Sequence, residues 1–170
     1  MSAAPKIEIH PATADRWADI ATLFGLRGAC AGCWCMWARR EAAEFKRGSG
    51  DGNRRALQEL VLGNARLGLL AYAGEEPVGW IALGPRTEYP RLDKSRVLAA
   101  VDDQPVWSVT CFFIRRDWRG RGLATRLLKE SLATLGSDAV VELFPGKDHG
   151  LMTVPLRERI SKEMAAALKE

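Results

Sequence analysis

The stretch that most limits what this chain can fold into is FFIRRDWRGRGLATRLL, Phe112 to Leu128. It orders a buried strand, a short loop of arginines and glycines, and an amphipathic helix whose apolar positions are Leu123, Leu127, Leu128, Leu132 and Leu135. A chain that passes from strand to helix through such a loop aims several backbone N–H groups, and the positive end of the helix dipole, at one spot. An anion belongs there. Gly120 and Gly122 leave room for close approach of a pyrophosphate and tolerate the positive φ such a turn can need, and Ala124 is small as well. On these residues alone, an ordinary turn with solvated arginines is the competing reading.

Arg115, Arg116, Arg119, Arg121 and Arg126 crowd together in a chain whose net charge is only +4. Such a concentration suits the phosphates of a nucleic acid or of a small cofactor. An RNA-binding module would interleave stacking aromatics with the arginines, and only Trp118 lies among them, so no nucleic-acid partner is expected. With 170 residues, 47% of them hydrophobic, the chain can build one domain over 1–170 with a full core and no staple. The runs LGLLAYAG and VWSVTCFFI fall short of the roughly 20 residues that span a bilayer. The N-terminus lacks the basic and apolar regions of an export signal. A soluble, cytoplasmic protein with reduced cysteines and no membrane partner is expected.

Along the chain, KIEIH (Lys6 to His10) alternates like a strand with one wet face, and a helix follows with Trp17, Ile20, Ala21 and Phe24 on one stripe and Thr13 or Asp15 as cap. ARREAAEFK is helix-prone, GSGDGN (Gly48 to Asn53) reads as a flexible break, and Asn53 is placed to cap RRALQELVL. LGLLAYA and PVGWIAL, joined by GEE, predict an antiparallel hairpin. Gly84 to Gln104 reads as a long surface loop with one helical turn near SRVLAAV. VWSVTCFFI and AVVELF are strands apolar on both faces, hence central. VPLRERISKEMAAALKE runs helical, with proline near its start.

Neither a P-loop nor a dinucleotide-binding glycine pattern is present. The spacing R-G-R-G-L-A resembles instead the [Q/R]-x-x-G-x-[G/A] signature of the GNAT superfamily of acetyl-CoA-dependent N-acetyltransferases, with Arg119, Gly122 and Ala124 at the matching positions. The element order over roughly residues 6 to 145 is similar to the GNAT order, with 1–138 well matched and 146–170 an atypical tail. Arg116 stands where the family often has proline. Gly32 to Met36 (GCWCM), Gly84 to Arg86 (GPR) and WSVTCFFIRRDWRGRGLA also resemble one subgroup of the superfamily. The implied fold is α/β: a mixed, mostly antiparallel central sheet flanked by helices, here with a helical C-terminus in place of the usual last two strands. An uncovered sheet edge favours pairing with a second copy, so a homodimer is expected.

The resemblance implies transfer of acetyl from acetyl-CoA to a primary amine, with no metal. Phe112, Phe113 and Ile114 would offer backbone to the pantetheine. Arg119, Gly120, Arg121, Gly122, Leu123, Ala124 and Thr125 would hold the pyrophosphate, and a backbone N–H near Phe112 would meet the oxyanion. The chemistry needs a neutral amine and a proton for the leaving thiolate. Glu142 is the only carboxylate within either central strand and is the base expected here, against the alternative that it pairs with an arginine. The family's tyrosine for the leaving group, on the helix after the last central strand, has no counterpart, since Tyr72 and Tyr89 both come earlier. Ser131 or water is the expected substitute. Trp34, Trp37 and Glu88 are the expected acceptor contacts. Small-molecule amines, antibiotics among them, and protein N-termini or lysines all stay open as acceptors.

Two other readings compete. One is a CoA-binding sensor or incomplete enzyme without turnover. The other is an α/β-hydrolase fragment with His149 in LFPGKDHGLM as base, for which the chain lacks the G-x-S-x-G elbow. CAGCWCMW, Cys30 to Trp37, gathers three cysteines, one fewer than a tetrahedral zinc site needs. Reduced, these cysteines make an apolar wall with Trp34, Met36 and Trp37, which either lines the amine pocket or packs beneath it.

Overall fold

The computed structural model describes residues 5–96, 98–100, 103, 105–135 and, as backbone, 141–143. The expected C-terminal helix and His149 lie outside the described residues, as does the side chain of Glu142. Five strands form one sheet in the order β1-β2-β3-β4-β5: β1 Ile7–Pro11, β2 Gly68–Ala73, β3 Glu76–Pro85, β4 Trp107–Ile114 and β5 Val141–Leu143. The first four pair antiparallel, and β5 runs parallel to β4, with Trp107 opposite Val141 and Val109 opposite Leu143. Among the described residues, no helix is long and apolar enough to cross a membrane.

Helices cover both faces of the sheet. α1 (Trp17–Phe24), α2 (Ala42–Arg47) and α3 (Asp51–Leu62) belong to one side, and α5 (Leu123–Leu135) to the other. A strand alternates its side chains, so β2 and β3 divide their residues between two cores. Leu70, Tyr72, Trp80 and Ala82 pack with Ile20, Phe24, Trp34 and Leu57 on the α1 side. Leu69, Ala71, Val78 and Ile81 pack with Leu123 and Leu127 on the α5 side. β4 is central, as its apolar pattern predicts. Gly25, at φ 61, ends α1.

Three local expectations are corrected. Neither Thr13 nor Asp15 caps the first helix, which begins instead as a 3-10 turn over Ala14–Arg16. Asn53 lies inside α3 rather than at its start, fully buried. It donates to Gly32 O (3.1 Å) and Phe45 O (3.3 Å) and accepts from Arg40 (3.0 Å), tying three segments together. The first part of the segment after Gly84 is not a surface loop, whereas its residues described after Asp93 are mostly exposed turns, as expected. Arg86–Glu88 form a 3-10 turn and α4 (Pro90–Asp93) follows, with Arg86, Tyr89 and Leu92 buried. Tyr89 and Leu92 form a small third core with Ala38, so charges that read as solvated in the sequence sit around an apolar anchor.

Candidate active site

The anion loop folds as its residue types demand. β4 ends at Ile114, a 3-10 turn covers Arg116–Trp118, and Gly120 and Gly122 both take φ +72, the left-handed region that favours glycine. An added Cβ at either glycine meets nothing within 4 Å. The backbone conformation, not crowding inside the protein, thus calls for glycine, and the space in front of the loop is open. Arg126 N–H donates to Gly122 O at 3.1 Å as the first helical bond of α5. The N–H groups of Leu123, Ala124 and Thr125 come before it and have no acceptor within the helix. Phe112, 39% exposed, leaves an apolar surface on the strand leading to the loop.

The arginines divide their work. Arg115 pairs with Glu76 (2.9 Å) and Asp117 (2.8 Å), and these hydrogen bonds hold its ionisation above the ordinary range. Arg119 donates to Ile114 O at 3.0 Å and Arg126 to Ile7 O at 2.8 Å. Arg121 lies over the Trp118 ring at 4.8 Å from its centre. Arg119 therefore braces the loop by its side chain, and Arg121 keeps its charge at the loop's exposed surface.

On the opposite side of the sheet, the cysteine segment forms a tight coil. Gly28, Ala29, Ala31, Gly32, Trp34 and Cys35 all take positive φ, from 45 to 72°. Trp34 is 4% exposed and packs on Trp17 and Phe24, with Arg54 over its ring. Met36 and Cys35 are buried too, so this wall packs beneath the surface. Trp37 is partly exposed and carries Arg91 at 4.6 Å from its ring centre. Trp80 Nε1 donates to Cys35 Sγ at 3.4 Å. The neighbouring Cys111 thiol, with Trp80 and the Arg39 charge, lowers the Cys35 pKa against its burial, and Cys35 in turn raises that of Cys111. Cys33 faces Gly28 O at 3.5 Å, and burial pushes its thiol up. Among the described residues, no group of three or more His, Cys, Asp or Glu could hold a metal ion.

Between this coil and β4 lies a polar cluster that the sequence reading missed in part. Arg39 pairs with Glu88 at 2.6 Å, donates to Tyr89 Oη at 3.0 Å, and sits 4.5 Å above the Tyr89 ring centre. β4 carries a bulge at this level: Ala82 faces Cys111 and Leu83 faces Val109, so Thr110 is the extra residue. The backbone irregularity therefore falls at Thr110, two residues before Phe112, where an oxyanion contact was expected. Two hydroxyl residues, Ser108 and Thr110, inside an otherwise apolar central strand were the available signal. Ser131 is buried in α5, its hydroxyl donating to Leu128 O at 2.8 Å, so that proton is already engaged. The Glu142 backbone lies opposite Ser108.

The acetyltransferase (GNAT) family model matches residues 33–148. The chain belongs to that family and is an acyltransferase of the GNAT type. Solved structures of the same fold include a GCN5-related N-acetyltransferase from Ralstonia eutropha (17% identity, TM-score 0.54, 91% of each chain covered). Others are a ribosomal-protein-alanine N-acetyltransferase from Brucella melitensis biovar Abortus (16%, 0.51, 94% of this chain and 89% of that one) and aminoglycoside N-acetyltransferase AAC(6')-Iy in complex with CoA (17%, 0.54, 98% and 90%). No curated protein matches the sequence. In this GNAT chain the glycine loop and the bulge of β4 sit at the two ends of one stretch, Thr110 to Thr125.

Proposed function

We propose that the protein moves an acetyl group from acetyl-CoA to a primary amine of a small molecule by direct transfer. The observation that carries this is the loop before α5: two glycines in the left-handed region with open space before them, followed by N–H groups without helical acceptors. A pyrophosphate fits that donor set. Gly120, Arg121, Gly122, Leu123, Ala124 and Thr125 would hold it, with Arg119 bracing the loop from behind, and Phe112 to Ile114 would flank the pantetheine. Acetyl-CoA supplies a thioester that is already activated, so positioning is the larger share of the catalysis.

A small-molecule acceptor agrees with the aminoglycoside N-acetyltransferase among the structural relatives, and the partly exposed Trp37 and the Arg39-pinned Glu88 are the side chains offered for it. Glu142 stays the proposed base. Calorimetry with acetyl-CoA, then free-thiol release across a panel of amines for wild type and Glu142→Gln, tests the reading. Micromolar binding with amine-dependent thiol release supports it. Binding with no release for any amine selects a CoA sensor instead, and no binding removes the cofactor assignment.

A further inference from the structure

Among the described residues, the hydroxyls of Ser108 and Thr110 are buried with no partner at full hydrogen-bond geometry, Thr110 facing the Tyr89 hydroxyl. Such a group destabilises the fold if nothing ever satisfies it. Thr110 is the residue the bulge sets apart. Val109 packs into the α5-side core, Cys111 into the α1-side core, and Thr110 lies beside Tyr89. The bulge thus turns two consecutive side chains of β4 toward the α1 side.

Tyr89 is fully buried behind Thr110, and its oxygen already accepts from Arg39. Its own proton is therefore free to be donated. Room for it comes from Gly84, where a Cβ would stand 2.9 Å from Tyr89 Oη, 3.1 Å from Arg39 Nη2 and 3.2 Å from Glu88 Oε2. Burial, the largest influence, pushes the Tyr89 ionisation up to about 12, while the Arg39 charge opposes it. The phenol stays protonated near neutrality, and Arg39 stabilises the anion left when the proton moves.

We propose that the Thr110 hydroxyl hands a proton to the thiolate that leaves during acetyl transfer, and that Tyr89, held by Arg39, is the positioning residue that refills it. The inference rests on the acetyl-CoA reading above. As the C–S bond breaks, its electron pair stays on sulfur, the Thr110 O–H bond breaks and an S–H bond forms. The Tyr89 O–H bond breaks as a new Thr110 O–H bond forms. The amine nitrogen sheds one proton on becoming an amide, and that proton returns to Tyr89 through solvent, so the cycle balances. A threonine hydroxyl is too weak an acid to act alone; Tyr89, though raised to about 12 by burial, is still a far stronger acid than an alcohol, and Arg39 holds its anion, which makes the relay work.

Thr110→Val keeps the shape and removes only the unpartnered hydroxyl, so it leaves the melting temperature unchanged or raises it. Thr110→Ser keeps the hydroxyl, and Tyr89→Phe keeps the ring under Arg39. Calorimetry with CoA comes first, followed by a spectrophotometric titration of the bound CoA thiol and kcat with an amine the wild type accepts. The expected result is CoA affinity within about twofold of wild type for all three, with the bound thiol's pKa raised by about one unit in Thr110→Val and Tyr89→Phe, because a donor to the thiolate is lost. kcat falls about 100-fold in Thr110→Val, recovers in Thr110→Ser, and is no lower in the double variant. A Thr110→Val protein that binds CoA and leaves the thiol pKa unchanged overturns the relay. A wild type that binds no CoA overturns the acetyl-CoA reading itself, and is seen before any variant is made.

Discussion

Two segments of this protein turn through left-handed backbone, and they do so in opposite ways. At Arg119–Leu123 the positive φ values fall on Gly120 and Gly122, with nothing within 4 Å of the missing Cβ positions. At Gly28–Cys35 they fall partly on Ala29, Ala31, Trp34 and Cys35, residues that pay steric energy there, and the surrounding space is full. A Cβ on Gly28 would enter the Trp34 indole, and one on Gly32 would stand 2.5 Å from Gly50 N. Glycine adopts this region without strain, and the open space before these two leaves room for a ligand. Strain carried by alanine, tryptophan and cysteine persists only because packing and hydrogen bonds over-determine it.

That contrast predicts its own largest effect in the packed coil. Gly32→Ala adds left-handed strain and a collision with backbone, and Gly50 N–H also donates to Gly32 O at 3.0 Å, so neither segment can yield alone. The expected loss is about 4 kcal/mol in chemical denaturation. Asn53→Ala, which takes one donor from the Gly32 carbonyl, the side-chain donor from the Phe45 carbonyl and the acceptor from Arg40, costs about 3 kcal/mol. If either variant unfolds like the wild type, the coil is not the braced element described here.

The same contrast explains what could be read before the fold was known. The anion loop is local: seventeen consecutive residues fix its strand, its turn and its helix, so sequence spacing shows it. Hydrophobic period likewise gives the hairpin and the central place of β4. The side proposed for the acceptor is assembled from contacts distant in sequence, such as Arg39 with Glu88 and Tyr89, and Asn53 with Gly32. Asn53 looked like a helix cap because its neighbours are glycines and arginines, yet its amide fits the Gly32 carbonyl twenty-one residues away. Tyr89 looked like loop surface because charges surround it; the core it anchors with Ala38 is visible only once the chain is folded.

The next effect sharpens the acceptor side through pH. An unfolded tyrosine ionises near 10, and Tyr89 in the fold ionises at about 12, raised chiefly by burial. A raised folded pKa means its stabilisation is complete below about pH 10 and is lost as pH climbs to 12, as the unfolded chain ionises first. Tyr89 then accounts for roughly 2–3 kcal/mol of the alkaline loss. Burial and the hydrogen bond with Asp19 (2.7 Å) raise Tyr72 as well, so some alkaline loss remains when Tyr89 is removed. Denaturant midpoints from pH 9 to 12 for Tyr89→Phe should fall less steeply than for wild type. Equal slopes would mean that burial does not raise the Tyr89 ionisation and that its surroundings are not as described.

On the cofactor side, the expected stability effects are smaller and the binding effects larger. Gly122→Ala meets no neighbour, so its cost is the left-handed penalty alone, about 1–2 kcal/mol. Its methyl group projects into the open space, and acetyl-CoA affinity should fall at least about tenfold, well beyond what a stability change of that size does to a protein that remains folded. A variant that loses stability without losing affinity would make this turn a structural one, like the coil opposite.

The smallest effect separates charge from shape within that loop. Arg115, Arg119 and Arg126 are held by acids or backbone carbonyls, whereas Arg121 rests on Trp118, a contact worth about 0.5–1 kcal/mol at an exposed site. Arg121→Gln should leave denaturation almost unchanged and weaken acetyl-CoA binding about threefold at low salt, a difference that shrinks as ionic strength shortens the reach of an exposed charge. On the proposed reading the backbone N–H groups at the start of α5 would be fixed donors to the anion, and the salt-independent part of the affinity is expected from them. If the threefold difference persists undiminished at high salt, Arg121 contacts the ligand directly, and the loop recognises its anion by a side chain as well as by its backbone.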